Sequence, residues 1–211
     1  KCRQTHTTLR YLGLLEEIKM FIENATSTDT VGAALEAALG SKNSAKAGGV
    51  YRIECHDKDG NLKWSAESHN LVVNVGLQDM NAKYFTGSAY TAAWYLGLYG
   101  SASTNNPVAG DTAASHSFTE VTPYSNATRP ACTFGTPTTA NPSVATNSAS
   151  PASYTINATA TVGGAFLISN STKGGSTGVL FSASDFTSPG DRSVASGDTL
   201  NVTYTFSLTA T

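Results

Sequence analysis

The sequence predicts a mainly β protein: an antiparallel β-sandwich of jelly-roll type with one short helix, preceded by a helical N-terminal arm. Three observations carry this. Apolar and polar residues alternate with a period of two at 50–55 and again at 200–208. Gly, Pro and Asn turn signals punctuate the chain between many short apolar runs. Charge is concentrated at the front: residues 1–70 hold 9 basic and 9 acidic side chains, and the other 141 residues hold 4 and 6. From residue 101 onward, 39 of 111 residues are Ser or Thr, a composition that suits strands whose polar faces are built of hydroxyls.

The elements follow in order. Leu9, Leu12, Leu15, Ile18 and Ile22 recur at three- and four-residue steps and predict a helix over 9–22. Thr28-Asp29-Thr30 offers an N-cap for a second helix through Leu39, stopped by Gly40. Ser41 to Gly49 (SKNSAKAGG) is small and polar and reads as a linker, which divides the chain into an arm, 1–46, and a β domain, 47–211. Val50 to Cys55 is a strand, Asp57-Lys58-Asp59-Gly60 a hairpin turn, and Asn61 to Trp64 the start of the return. Residues 71–74 end that excursion, and 76–85 (GLQDMNAKYF) form the one short helix of this part. Strands are then expected at 92–99, 118–121, 131–134, 153–162, 165–168, 178–181 and 199–208. In the last of these, Leu200, Val202, Tyr204, Phe206 and Leu208 share one face.

Composition narrows the function. A chain of 211 residues is long enough for a continuous core without a metal or disulfide framework. Charged residues are 13%, about half the usual share, with pI near 6.1, which argues against a nucleic-acid binder working by charge. Apolar runs fall far short of the roughly 18 residues a membrane-spanning helix needs, so no membrane partner is expected. No secretory signal follows the Lys1-Cys2-Arg3 start, which makes cytoplasmic synthesis the default reading. Cys2, Cys55 and Cys132 show no paired or CxxC spacing, and Cys55 and Cys132 read as small buried hydrophobes.

Chemistry-bearing patterns are few. Gly174-Gly175-Ser176-Thr177-Gly178 matches a nucleophile elbow, yet a strand follows it and all four His precede it, so it reads as a turn. Asp57 to Asn61 has part of a calcium-loop pattern, with Gly fourth rather than sixth and Ser68 where the bidentate Glu belongs. Cys55, His56, His69 and Cys132 do not have the spacing of a zinc site, and Glu16-Glu17 is a solvated helix face. Five Asn-x-Ser/Thr sequons arise from composition. Trp94, Tyr95 and Tyr99 suit strand packing, with a sugar platform or an interface anchor as the functional alternative. The expectation is therefore no enzyme, no cofactor and no metal.

Gly48 to Cys55 (GGVYRIEC), Asp57 to Trp64 (DKDGNLKW), His69 to Leu77 (HNLVVNVGL), Tyr84-Phe85 and Tyr90 to Leu98 (YTAAWYLGL) occur in an order that resembles a family of small tailed-bacteriophage proteins. Gly163 to Leu167 and Gly197 to Val202 extend the resemblance, which spans residues 47–211. The family is that of capsid cement, or decoration, proteins of short-tailed phages. It implies a structural protein made in the bacterial cytoplasm and placed on the outside of the virion. Its partner would be the major capsid protein, bound by a dimer or trimer of this chain without contact to nucleic acid. A carbohydrate-binding adhesin or tail-associated module is the alternative. Leu9, Leu12, Leu15, Ile18, Ile22, Trp94 and Tyr95 are the expected partner contacts. Two short helices are marginal alone in water, so the arm's apolar stripe is expected to dock on a partner.

Overall fold

A computed structural model describes residues 44–89, 93–100, 106–186 and 190–211. The chain divides into two compact units, Lys1–Ser44 and Ala45–Thr211. The expected helical arm, with Leu9, Leu12, Leu15, Ile18 and Ile22, lies outside the described residues.

The second unit is mainly β, with two antiparallel sheets and one short helix. Its strands are β1 (Ala45–His56), β2 (Leu62–His69), β3 (Leu71–Val72), β4 (Tyr95–Gly100), β5 (Thr119–Val121) and β6 (Ser143–Thr146). They continue with β7 (Ala152–Thr155), β8 (Ala160–Ile168), β9 (Leu180–Asp185), β10 (Arg192–Val194) and β11 (Thr199–Ala210). Helix α1 spans Asn74–Phe85. The first sheet has the order β2-β1-β11-β6, with β7 also on β11; the second runs β3-β9-β8-β4-β5, with β10 on β8.

The two 12-residue strands β1 and β11 pair along their whole length, from Ala45↔Ala210 to His56↔Thr199. Their inward residues, Tyr51, Ile53 and Cys55 against Leu200, Val202 and Tyr204, are fully buried. These six share one core cluster with Leu96, Leu98, Ala165, Leu167 and Phe181 of the second sheet, so the sheets bury their facing surfaces together. The second sheet is buried on its other face as well. Tyr99, Phe166, Ile168, Leu180 and Ala183 form a separate cluster there with Val73, Ala113 and Phe118. This double burial explains why β4 and β8 read as continuous apolar runs rather than alternating ones.

Buried hydroxyls tie the sheets together. The Tyr51 hydroxyl pairs with Ser182 Oγ at 2.7 Å, and Ser182 Oγ donates to the Tyr204 hydroxyl at 3.3 Å. Tyr154 donates to the Leu96 carbonyl at 2.6 Å, and Ser68 pairs with Ser184. Each of these bonds satisfies a buried polar group that would otherwise cost about 1–3 kcal/mol.

Several boundaries differ from expectation. Ala45 to Gly49, read as linker, is the first part of β1, because pairing to β11 overrides the turn bias of small residues. The expected strand 131–134 is reduced to one bridge, Ala131↔Tyr95. The expected strand 153–162 is broken into β7 and the start of β8; between them Ile156 bridges Tyr124 and also bonds the backbone of Gly197 and Asp198.

Gly164 marks a close approach of β8 to β9. A Cβ added there would fall inside the Ser184 carbonyl oxygen, which is backbone and cannot rotate away. Gly164→Ala should therefore cost about 3 kcal/mol, the upper part of the overpacking range. Urea denaturation checks this, and an unchanged midpoint contradicts the close approach.

Candidate functional site

The charged residues of the β unit are sparse, and where they are buried they hold the fold. Arg129 and Glu120 are 2% and 8% exposed and form a two-pronged pair, Nε to Oε1 at 2.9 Å and Nη2 to Oε2 at 2.7 Å. Arg129 also donates to the carbonyls of Asn170 and Gly175, both at 2.9 Å, while the Gly174 N–H donates to Glu120 Oε2 at 2.8 Å. The guanidinium lies 5.3 Å from the Phe166 ring centroid. Beside it Lys173 Nζ donates to the carbonyls of Tyr124 and Asn126 and sits 4.4 Å from the Tyr124 ring centroid. The loop from Ser169 to Val179 is thus clamped from inside, and Ser176 and Thr177 are exposed on it. The G-x-S-x-G match lies in this loop, with strand β9 after it and no helix, so the geometry of a nucleophile elbow is not formed.

A second buried carboxylate is Asp198. Burial would push it up, but the Lys63 ammonium at 2.6 Å and the Ala195 N–H at 2.8 Å hold it below the usual carboxylate range. The Cys55 thiol donates to the same oxygen at 3.8 Å; burial first, then the Asp198 charge, pushes the thiol up to about 11. A protonated thiol beside an ion pair is a packing group and a poor nucleophile. Cys132 is likewise buried and pushed up by burial to about 12. Among the described residues no three His, Cys, Asp or Glu side chains come together as a metal site. Asp57 closes the β1–β2 hairpin: its Oδ1 accepts the N–H groups of Asp59 and Asn61, both at 2.9 Å. The partial calcium-loop pattern is accounted for by that turn.

Trp94 and Tyr95 are half-buried. The Trp94 ring meets Phe181 edge-on at 5.4 Å and packs on the inter-sheet core, while Tyr95 packs on the second cluster. Among the described residues the exposed aromatics are Tyr84 and Phe85, 83% and 76% exposed, with ring centroids 4.8 Å apart. They end α1, whose Met80 packs on the inter-sheet core and whose Val75 packs on the second cluster. Leu77, about two turns back on the same outward face, is 41% exposed. An Asp79–Lys83 ion pair at 2.9 Å braces the helix, and Thr86 Oγ1 donates to the Ala82 carbonyl at its end. The sequence placed Tyr84-Phe85 on a helix but gave no sign of which face the core would leave uncovered.

Comparison with protein-family models, with curated proteins and with solved structures finds no match to this chain.

Proposed function

We propose that this chain is a non-enzymatic structural protein of a bacteriophage head, a cement protein of jelly-roll type that binds and stabilises the major capsid protein lattice. The observation that carries the reading is where the chain spends its polar and apolar groups. Buried charges at Arg129, Glu120 and Asp198 are used up in clamping loops and strands, while an aromatic pair is left facing solvent. That is the economy of an adhesive surface. Adjacency of the first and last long strands, β1 and β11, supports the jelly-roll topology. Many copies on a lattice act multivalently, so each contact is allowed to be modest.

Tyr84 and Phe85 also favour the second reading, a carbohydrate-binding adhesin or tail-associated module, because exposed rings can stack on sugars. One pair of measurements separates the two. The cement reading expects the chain to co-purify with empty heads in a fixed ratio to capsid protein, and a Tyr84→Ser, Phe85→Ser variant to lose about tenfold or more in occupancy. Glycan-array binding that the same variant abolishes, without attachment to heads, would select the adhesin.

A further inference from the structure

The edge of β1 is only half covered. β2 pairs with β1 from His56 to Val50, where its last partner is His69. The chain then departs for the second sheet, and Leu71 pairs with Ala183. The final rung is Asn70 N–H to the Gly49 carbonyl at 3.0 Å. That carbonyl points away from β11, whereas the Gly48 carbonyl faces β11, where Gly48 pairs with Ser207 and accepts from the Ser207 hydroxyl at 3.4 Å. Alternation along the ladder therefore aims the Gly49 N–H and both polar groups of Ala47 at the open edge. They have no backbone partner among the described residues.

A depression of about 280 Å³ lies beside this notch, over the outward face of β1, with Thr205, Ser207 and Thr209 of β11 on its far side. Its lining includes Lys46, Gly48, Val50, His69 and Ser207, and no carboxylate. On the outward face Gly48 sits between Lys46 and Val50, with nothing within 4 Å of where its Cβ would be. A strand added here would place one side chain over Gly48, between the Lys46 and His69 side chains.

We propose that the Ala45–Gly49 edge is a strand-addition site for an extended segment of a partner protein, with a carboxylate in the position over Gly48. A second copy of this edge fits worse. Two-fold pairing about Ala47 would set Lys46 of each copy diagonally beside the other, and an edge lysine is a device that discourages such self-pairing. The inference holds whichever partner the chain serves.

Hydrogen exchange of the full chain, followed at the Ala47 and Gly49 amides, tests it. The probe is a blocked pentapeptide alternating valine and glutamate, with a valine–lysine peptide as control. At about ten times its dissociation constant the acidic peptide should slow both amides about tenfold, and the basic peptide should not. Lys46→Glu, on the exposed face, should reverse that preference. Ala47→Pro removes an edge donor and should weaken the acidic peptide; proline is tolerated at such edge positions. Equal protection by both peptides, or none from either, overturns the proposal. So does protection in the free protein, which means a second copy fills the edge if it rises with protein concentration, and the chain's own residues if it does not.

Discussion

Glu120→Ala should destabilise the protein by about 3–5 kcal/mol, because it strands a buried guanidinium without its counter-charge. Arg129 is 2% exposed and cannot reach water to recover the loss. Its bonds to the Asn170 and Gly175 carbonyls remain, but neutral carbonyls do not replace a carboxylate held by two prongs. The Gly174 N–H loses its acceptor in the same step. Two readouts are expected together: a lower urea midpoint, and faster hydrogen exchange at Arg129, whose N–H bonds Ser171, and at Gly175. Removing both charges is the informative control. Glu120→Leu with Arg129→Met should recover part of the stability, since it removes the stranded charge, while the Gly174 N–H and the Asn170 and Gly175 carbonyls still lack these partners. If Glu120→Ala unfolds at the parental midpoint, the pair is not buried as described.

This clamp shows what could be read ahead of the structure. Glu120 and Arg129 are the only Asp, Glu, Lys or Arg between Asp111 and Lys173. In so neutral a stretch, one acid and one base are natural partners, although nothing local reveals that they lie inside. β11 and the second half of β1 were legible because each buries one face, which imposes a period of two on the residues. β4 and β8 were legible as strands, but their apolar runs could not say that the sheet is covered on both sides. Ser143–Thr146 and Arg192–Val194 carry no apolar period and were missed, as their pairing partners alone make them strands. Helix α1 was found two residues short, with its inward and outward faces unassigned. Trp94 and Tyr95 suit strand packing in the sequence, and they do pack on the two clusters, but nothing there marks Tyr84 and Phe85 as the rings left outside. Trp94 precedes β4 and Tyr95 begins it, in a sheet covered on both faces, while Tyr84 and Phe85 end a helix whose packed residues lie elsewhere on its circumference.

Alkaline pH should unfold the protein over a narrow interval, with an effect as large as its whole stability. Tyr51, Tyr99, Tyr124, Tyr154 and Tyr204 are each at most 1% exposed. Burial pushes all five hydroxyls up, Tyr99 to about 12, Tyr124 and Tyr204 further, and Tyr51 and Tyr154 well above the usual value. Neighbouring ionisable groups add to this, Tyr204 for Tyr51 and Glu120 for Tyr124. An unfolded chain releases these protons near pH 10, roughly the free-tyrosine value, while the folded chain keeps them. The folded pKa lies above the unfolded one, so the stabilisation is complete below about pH 10 and drains away as pH rises toward the folded values. Each retained proton contributes a slope of about 1.4 kcal/mol per pH unit, and five give about 7. The buried thiols of Cys55 and Cys132 start the decline earlier, above about pH 8.5. Against a typical stability of about 5–15 kcal/mol, one to two pH units above 10 suffice. Tyrosinate absorbance and far-ultraviolet circular dichroism should therefore change together, in one steep step that releases several protons. Replacing Tyr51 or Tyr204 by Phe should make that step less steep by about one proton, even though the lost hydroxyl bonds lower stability at neutral pH. A gradual tyrosine titration that finishes while the β spectrum is intact would mean that these rings are open to water, and the inter-sheet core as drawn would be wrong.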